Sequence, residues 1–289
     1  MEKPSSHEPG RRWALRRPRR LRTIALLPTL ITLGNGVCGM VAIFKIGQGL
    51  AEGRMGLFNQ AAGLILGGMI FDALDGSVAR MTRTTSNFGA QLDSLCDLIT
   101  FGVAPGFLVF AVSRHLNLVP NDSIWTRPID VVCVLYAMCA LIRLARFTVE
   151  TTPDESAHRE FAGLPSPAAA GVLASAVLPF RHLDPNLVQV INAALPGLAL
   201  AVAILMVSRV KYIHVVNRIL RGRHPFVALV EVILIVALVF LFREFAFFIA
   251  FFGYAVTGPF FWVKKRMTLH PAAAPGIAPP PAERNESLF

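Results

Sequence analysis

Apolar residues follow one another in runs of about 18 to 23 along nearly the whole chain, each close to the length a helix needs to cross hydrocarbon. Short polar stretches rich in arginine separate them. The runs predict spans near 24–46, 57–80, 93–113, 128–148, 163–180, 187–207, 225–242 and 244–263. Helices are expected throughout, because a backbone in lipid has no water to bond and none of the runs alternates as a barrel strand does. Only Arg243 and Glu244 stand between the last two runs, so a re-entrant hairpin is an alternative to two full spans over 225–263.

The composition agrees: 54% of residues are hydrophobic and 16% charged, too apolar for a water-soluble domain. The fold class expected is an all-α polytopic membrane protein. It divides into a basic arm (1–23), six of the expected spans (24–207), a basic loop (208–224), two additional helices (225–265) and a Pro- and Ala-rich disordered tail (266–289). Of the 28 Lys and Arg residues, all but Lys45, Arg54, Arg114, Arg127, Arg181 and Arg243 fall on the side that carries both termini. The positive-inside bias therefore places both termini in the cytoplasm. The net charge of +10 suits anionic headgroups, although the arm alone could simply set topology. No basic folded module accompanies the charge, which argues against nucleic acid as a partner. The first span contains Pro28 and Asn35 and lacks a small-residue cleavage site, so it reads as retained. Cys38, Cys96, Cys133 and Cys139 sit in apolar runs without CxxC spacing, indicating neither disulfides nor zinc.

Four carboxylates interrupt this pattern within "FDALDGSVARMTRTTSNFGAQLDSLCD". Asp72, Asp75, Gly76, Ala79 and Arg80 share one helical stripe, and Asp93 and Asp97 share a face of the next helix. An ionised Asp at membrane depth costs a few kcal/mol, so such a cluster marks function. Oxygen ligands without His or Cys favour magnesium, manganese or calcium. Arg80 and Arg83 could pair with some of these aspartates, but four carboxylates outnumber two cations. Gly76, Ala79 and Gly89 leave room for a ligand's phosphates or base, or else serve close helix packing. Metal beside a phosphorylated ligand points to phosphoryl chemistry.

The pattern D-x-x-D-G-x-x-A-R-x8-G-x-x-x-D-x-x-x-D, filled by Asp72, Asp75, Gly76, Ala79, Arg80, Gly89, Asp93 and Asp97, resembles the signature of the CDP-alcohol phosphatidyltransferases. "PTLITLGN" resembles that family's first-span element, with Thr32 and Asn35 one turn apart. The resemblance implies a six-helix core open to the cytoplasmic interface and a substrate in which cytidine diphosphate carries a lipid. It further implies that Asp72, Asp75, Asp93 and Asp97 hold a divalent metal, Mg2+ or Mn2+ and as two ions. On the same basis Asp97 doubles as the base that activates the acceptor alcohol. Asp72, Gly76, Ala79, Arg80, Gly89, Thr32 and Asn35 are the corresponding CDP-diacylglycerol contacts, and a homodimer is the implied assembly.

Several acceptor alcohols share that signature. Here "LIRLARF" followed by "GLPSPAAAG" resembles the phosphatidylserine synthase branch, which implies L-serine as acceptor and CMP as the leaving product. Arg143 and Arg146, one turn apart, offer guanidinium groups for a serine carboxylate or a lipid phosphate, with Ser166 as a further contact. Two alternatives stay open. A phosphatidylglycerophosphate or inositol-phosphate lipid synthase would want more cations, which the Arg209–Arg223 stretch contains. A divalent-cation channel or transporter would use the same aspartates along a polar path. With no organelle-targeting element in view, a bacterial inner membrane with the site facing the cytoplasm is expected.

Overall fold

The computed structural model describes residues 20–82, 87–116, 126–150, 163–210, 212 and 243–268. Side chains are described for 28–78, 88–116, 128–148, 163–210, 212 and 245–261. The expected span at 225–242, most of the basic arm and loop, Arg83 and most of the tail lie outside the described residues.

Every regular element among the described residues is helical. Helix α1 runs Arg20–Glu52, α2 Met55–Thr82, α3 Asn87–Asp97 and α4 Ala104–His115, the last two joined without a break by a π-turn at Leu98–Val103. Then come α5 (Thr126–Glu150), α6 (Ser166–Val177), a 3-10 turn at Leu178–Arg181, α7 (Pro185–Val207) and α8 (Arg243–Thr268). Among the described residues five stretches are long and apolar enough to cross a membrane, Pro28–Glu52, Met55–Val78, Phe88–His115, Pro128–Thr148 and Pro185–Val207, with Phe245–Phe261 a shorter apolar helix. Large apolar side chains such as Leu30, Phe44, Val131, Val190 and Ile249 point outward, as a surface solvated by lipid requires. The chain is an integral membrane protein.

The fifth expected span is the one that differs. Helix α6 is shorter than a spanning helix because Pro165 caps it in an extended conformation and Pro167 occupies its first turn. Its sequence, "SPAAAGVLASAV", is small enough for neighbouring helices to close around it, and eleven of its twelve residues are buried. It is the central post of the bundle, with Leu164, Leu173, Phe58, Phe101 and Leu195 packed in one continuous core.

The entry to α6 depends on one glycine. Gly163 adopts φ +92°, donates its N–H to the Val210 carbonyl at 2.8 Å, and would place a Cβ only 2.4 Å from the Met206 carbonyl oxygen. Leu164 continues the clasp by donating to the Leu205 carbonyl at 3.0 Å. Gly163→Ala is therefore expected to destabilise the protein by at least about 1–3 kcal/mol, the cost of a left-handed non-glycine residue with the clash added. A melting temperature in detergent equal to the wild type's would contradict this.

Chain direction places the candidate chemistry at one end of the bundle. Helix α1 leads away from it and α2 returns, and Gly53 (φ +65°) makes the tight turn between them. At the opposite end a separate polar cavity of about 600 Å³ is lined by Arg54, Asn59, Gln60, Arg181 and His182.

Candidate active site

Three helices bring the aspartates together. Asp72 and Asp75 lie three residues apart on α2, and Asp93 and Asp97 lie four apart on α3, so each pair shares a helical face. Helix α1 packs against both, inserting Thr32 and Asn35, which are 5% and 0% exposed. Close approach is possible because two glycines lie where the helices cross. A Cβ on Gly39 would fall 2.4 Å from Thr100 Oγ1, and one on Gly68 would fall 2.6 Å from Thr100 Cγ2 and 2.9 Å from Asn35 Oδ1.

Carboxylate oxygens of Asp72, Asp75 and Asp93 all lie within 4.8 Å of one another. At that separation two charged oxygens repel by roughly 3 kcal/mol or more at an effective dielectric near 20. Asp75 Oδ2 and Asp93 Oδ1 are buried without a hydrogen-bond partner. Buried acceptors that repel one another and bond to nothing fit a cation, and an all-oxygen set fits a hard divalent ion. These three residues therefore have the character of a metal site.

Asp97 stands apart from that trio. It is 9% exposed, and its Oδ1 accepts a hydrogen bond from Asn35 Nδ2 at 2.8 Å. Asn35, expected from the sequence to face the substrate, thus reaches the aspartate cluster and holds its fourth member. Thr32 also reaches the cluster, with its side chain beside Asp75, while its hydroxyl donates to the Pro28 carbonyl at 3.0 Å. Gly76 and Gly89 are half-buried on α2 and α3. Ala79 and Arg80 continue the α2 stripe, with side chains outside the described set.

Beside the aspartates, Arg143 is half-buried near Asp97 and donates from Nε to the Leu164 carbonyl at 2.6 Å. That bond ties α5 to the entry of α6 and fixes the guanidinium plane. Arg146, one turn further on, is exposed. Ser166 is 1% exposed in the first turn of α6.

The structure adds residues that the sequence did not single out. Tyr254 of α8 lies close to Arg143 and pairs with Tyr212 at a ring separation of 5.6 Å. Tyr212 in turn donates to the Ala255 carbonyl at 3.0 Å, clamping α8 to the bundle. Thr100 and Tyr136 bond to the backbone beside Asn35 and Asp97. Pro105, just after the π-turn, is the sequence signal that could have drawn attention to this region.

A model of the CDP-alcohol phosphatidyltransferase family matches residues 25–208, from the first helix through the seventh. The chain belongs to this family. The matched stretch contains all four aspartates, Asn35, Arg143 and the Tyr136 position, whereas α8 lies beyond it. Among relatives, a CDP-diacylglycerol–serine O-phosphatidyltransferase of Bacillus subtilis is 33% identical over 190 residues, covering 65% of this chain and 90% of its own. One of the same name from Methanocaldococcus jannaschii is 32% identical over 201 residues, covering 69% and 79%. An archaetidylserine synthase of Methanothermobacter thermautotrophicus is 30% identical over 199 residues, covering 67% and 72%.

Proposed function

We propose that this family member is a metal-dependent CDP-diacylglycerol–serine O-phosphatidyltransferase, working at the cytoplasmic face of a bacterial inner membrane. The observation that carries the reading is the pairing of a three-carboxylate group at Asp72, Asp75 and Asp93 with a separately held carboxylate at Asp97. One set suits a diphosphate-bound cation, and the other suits a base. The serine-enzyme names of the relatives and the "RLARF" and "GLPSPAAAG" elements support the acceptor. An apolar groove of about 790 Å³ between α2 and α8, lined by Leu66, Gly67, Ile70, Leu74, Phe247 and Phe251, suits the acyl chains.

In this mechanism Asp72, Asp75 and Asp93 would hold Mg2+ or Mn2+, as two ions with Asp97 sharing the shell. When bound, such ions neutralise the charge of a diphosphate and of the departing nucleotide phosphate. Asp97 accepts the proton of the serine hydroxyl as its oxygen attacks the lipid-side phosphorus. A new serine Oγ–P bond forms, the P–O bond to CMP breaks, and CMP leaves with the electron pair. Asn35 keeps Asp97 aimed, since its amide donates to one carboxylate oxygen and leaves the other for the proton. Arg143 and Arg146 bind the serine carboxylate, and Arg80, Gly76, Ala79 and Gly89 line the nucleotide side. A channel reading fares poorly, because among the described residues fully buried Phe58, Ile65, Phe101 and Leu108 pack the helices beyond the cluster.

The test is CMP release by purified protein from CDP-diacylglycerol with Mg2+ or Mn2+, supplying serine, glycerol 3-phosphate, inositol, inositol phosphate or choline in turn. Release with serine alone supports the proposal. Release with another alcohol replaces the acceptor, and no metal-dependent release with any of them overturns the transferase reading.

Arg146→Ala is expected to raise KM for serine about 10-fold or more, the scale of one lost charged hydrogen bond, while changing KM for CDP-diacylglycerol less. Equal effects on both constants would remove Arg146 from the acceptor pocket.

A further inference from the structure

The helix that carries Asp93 and Asp97 changes its winding immediately after Asp97. Over Leu98–Val103 the backbone follows the wider π pattern, shown by the Ala104 N–H bonding back to the Ile99 carbonyl. Proline explains why the α pattern fails here. In an unbroken α-helix the Phe101 carbonyl would receive the N–H of residue 105, and Pro105 has none. Phe101 is fully buried, so a carbonyl left without a donor there would be costly. Tyr136 of α5 gives that carbonyl a side-chain donor: its hydroxyl, on a side chain with 0% exposure, bonds to it at 3.0 Å. Tyr136 can reach because α4 and α5 touch at Gly106, where a Cβ would fall 2.8 Å from the Cys133 carbonyl oxygen.

The neighbouring residue in the π-turn faces the other way. Thr100, also with 0% exposure, donates from Oγ1 to the Asn35 backbone carbonyl at 2.9 Å. Asn35 itself has 0% exposure and holds Asp97 through its amide. The bonds thus form one connected path: Tyr136 to the π-turn, the π-turn through Thr100 to the Asn35 backbone, and Asn35 to the Asp97 carboxylate. Asn35 Oδ1 makes no bond, so the Asn35 side chain is fixed from its backbone and its Asp97 contact alone.

We infer that Tyr136 and Thr100 are positioning residues of this enzyme, which clamp the π-turn between α5 and α1 so that Asn35 presents Asp97 as the base. The inference rests on the transferase reading above. It assigns a catalytic consequence to two hydroxyls that touch neither substrate nor metal-site carboxylates. Tyr136 lies on α5, nearly 40 residues along the chain from Asp97 and outside the family's aspartate signature.

A double-mutant cycle tests it, using CMP release by Tyr136→Phe, Asn35→Ala and the pair in the full-length protein. Tyr136→Phe deletes one oxygen and keeps the ring. Its kcat is expected to fall about 10-fold, the lower end of the effect of removing an outer-shell partner, because its path to Asp97 runs through Thr100 and Asn35. KM for serine and the Kd for CDP-diacylglycerol should change less than about 3-fold, because the substrate contacts are untouched. The double variant should be no slower than Asn35→Ala within about 2-fold, since both act through one path. Multiplied effects in the double variant, or a kcat for Tyr136→Phe within about 2-fold of wild type, would overturn the inference. Should Tyr136→Phe fail to fold, Thr100→Val tests the other end of the same path by the same criteria. Wild-type protein that releases CMP while the cycle is additive removes the positioning role alone; wild-type protein without CMP release removes the transferase reading and the inference together.

Discussion

Asp97→Asn is expected to reduce CMP release by about 10²- to 10⁴-fold, the range that a positioned general base contributes, while the protein still binds CDP-diacylglycerol. The substitution keeps size and hydrogen-bonding capacity, so the contact with Asn35 can be rebuilt by turning one amide. What disappears is the ability to take a proton from an alcohol whose own acidity is negligible at neutral pH. Asp97 is also the member of the four that lies outside the mutual 4.8 Å group, so its loss leaves that group's oxygens in place. The decisive comparison is single-turnover CMP formation against equilibrium binding of the CDP-lipid. Loss of binding with normal chemistry in the remaining bound fraction would transfer Asp97 from base to ligand holder.

Asp75→Asn carries the second large effect, with a distinctive signature. Asp75 is 6% exposed, and its Oδ2 has no partner. In metal-free protein the substitution removes one of three mutually repelling charges, so the melting temperature should rise. Two repulsive pairs of roughly 3 kcal/mol each, discounted for solvent screening, leave a gain on the order of 1–3 kcal/mol. With Mn2+ present the sign reverses, because the ion's binding energy stabilises only a protein that can hold it. The expected result is a higher melting temperature without metal, a much smaller increase on adding Mn2+, and CMP release reduced at least about 100-fold. A variant that keeps the wild-type response to Mn2+ would show that the trio does not hold the ion.

The aspartate face was legible because helical periodicity is local. Spacings of three and four residues put Asp72 with Asp75 and Asp93 with Asp97 on shared faces whatever the rest of the chain does. The resemblance then implied that the two faces meet, and in the structure Asp93 joins Asp72 and Asp75. Asp97 was expected as both metal ligand and base, and the structure adds its bond to Asn35, 62 residues away. No local pattern encodes that bond, because it depends on how α1 and α2 pack against each other and against the π-turn at Gly39 and Gly68. The arginine pair on α5 shows the same division. The one-turn spacing of Arg143 and Arg146 was readable, but the bond from Arg143 to Leu164 and the approach of Tyr254 from α8 required three helices to be assembled.

By itself the sequence determined that this is a helical membrane protein, roughly where five of its spans lie, and which carboxylates share a helical face. Each of these follows from apolar run length or from the 3.6-residue repeat, properties fixed within a few turns of chain. Only the tertiary structure decided that α6 is a short buried post, that Asp97 bonds to Asn35, and that the π-turn ahead of Pro105 takes a hydrogen bond from Tyr136. Those outcomes arise where buried polar groups must find partners on other helices, and a partner's identity is settled by packing across the bundle rather than by order along the chain.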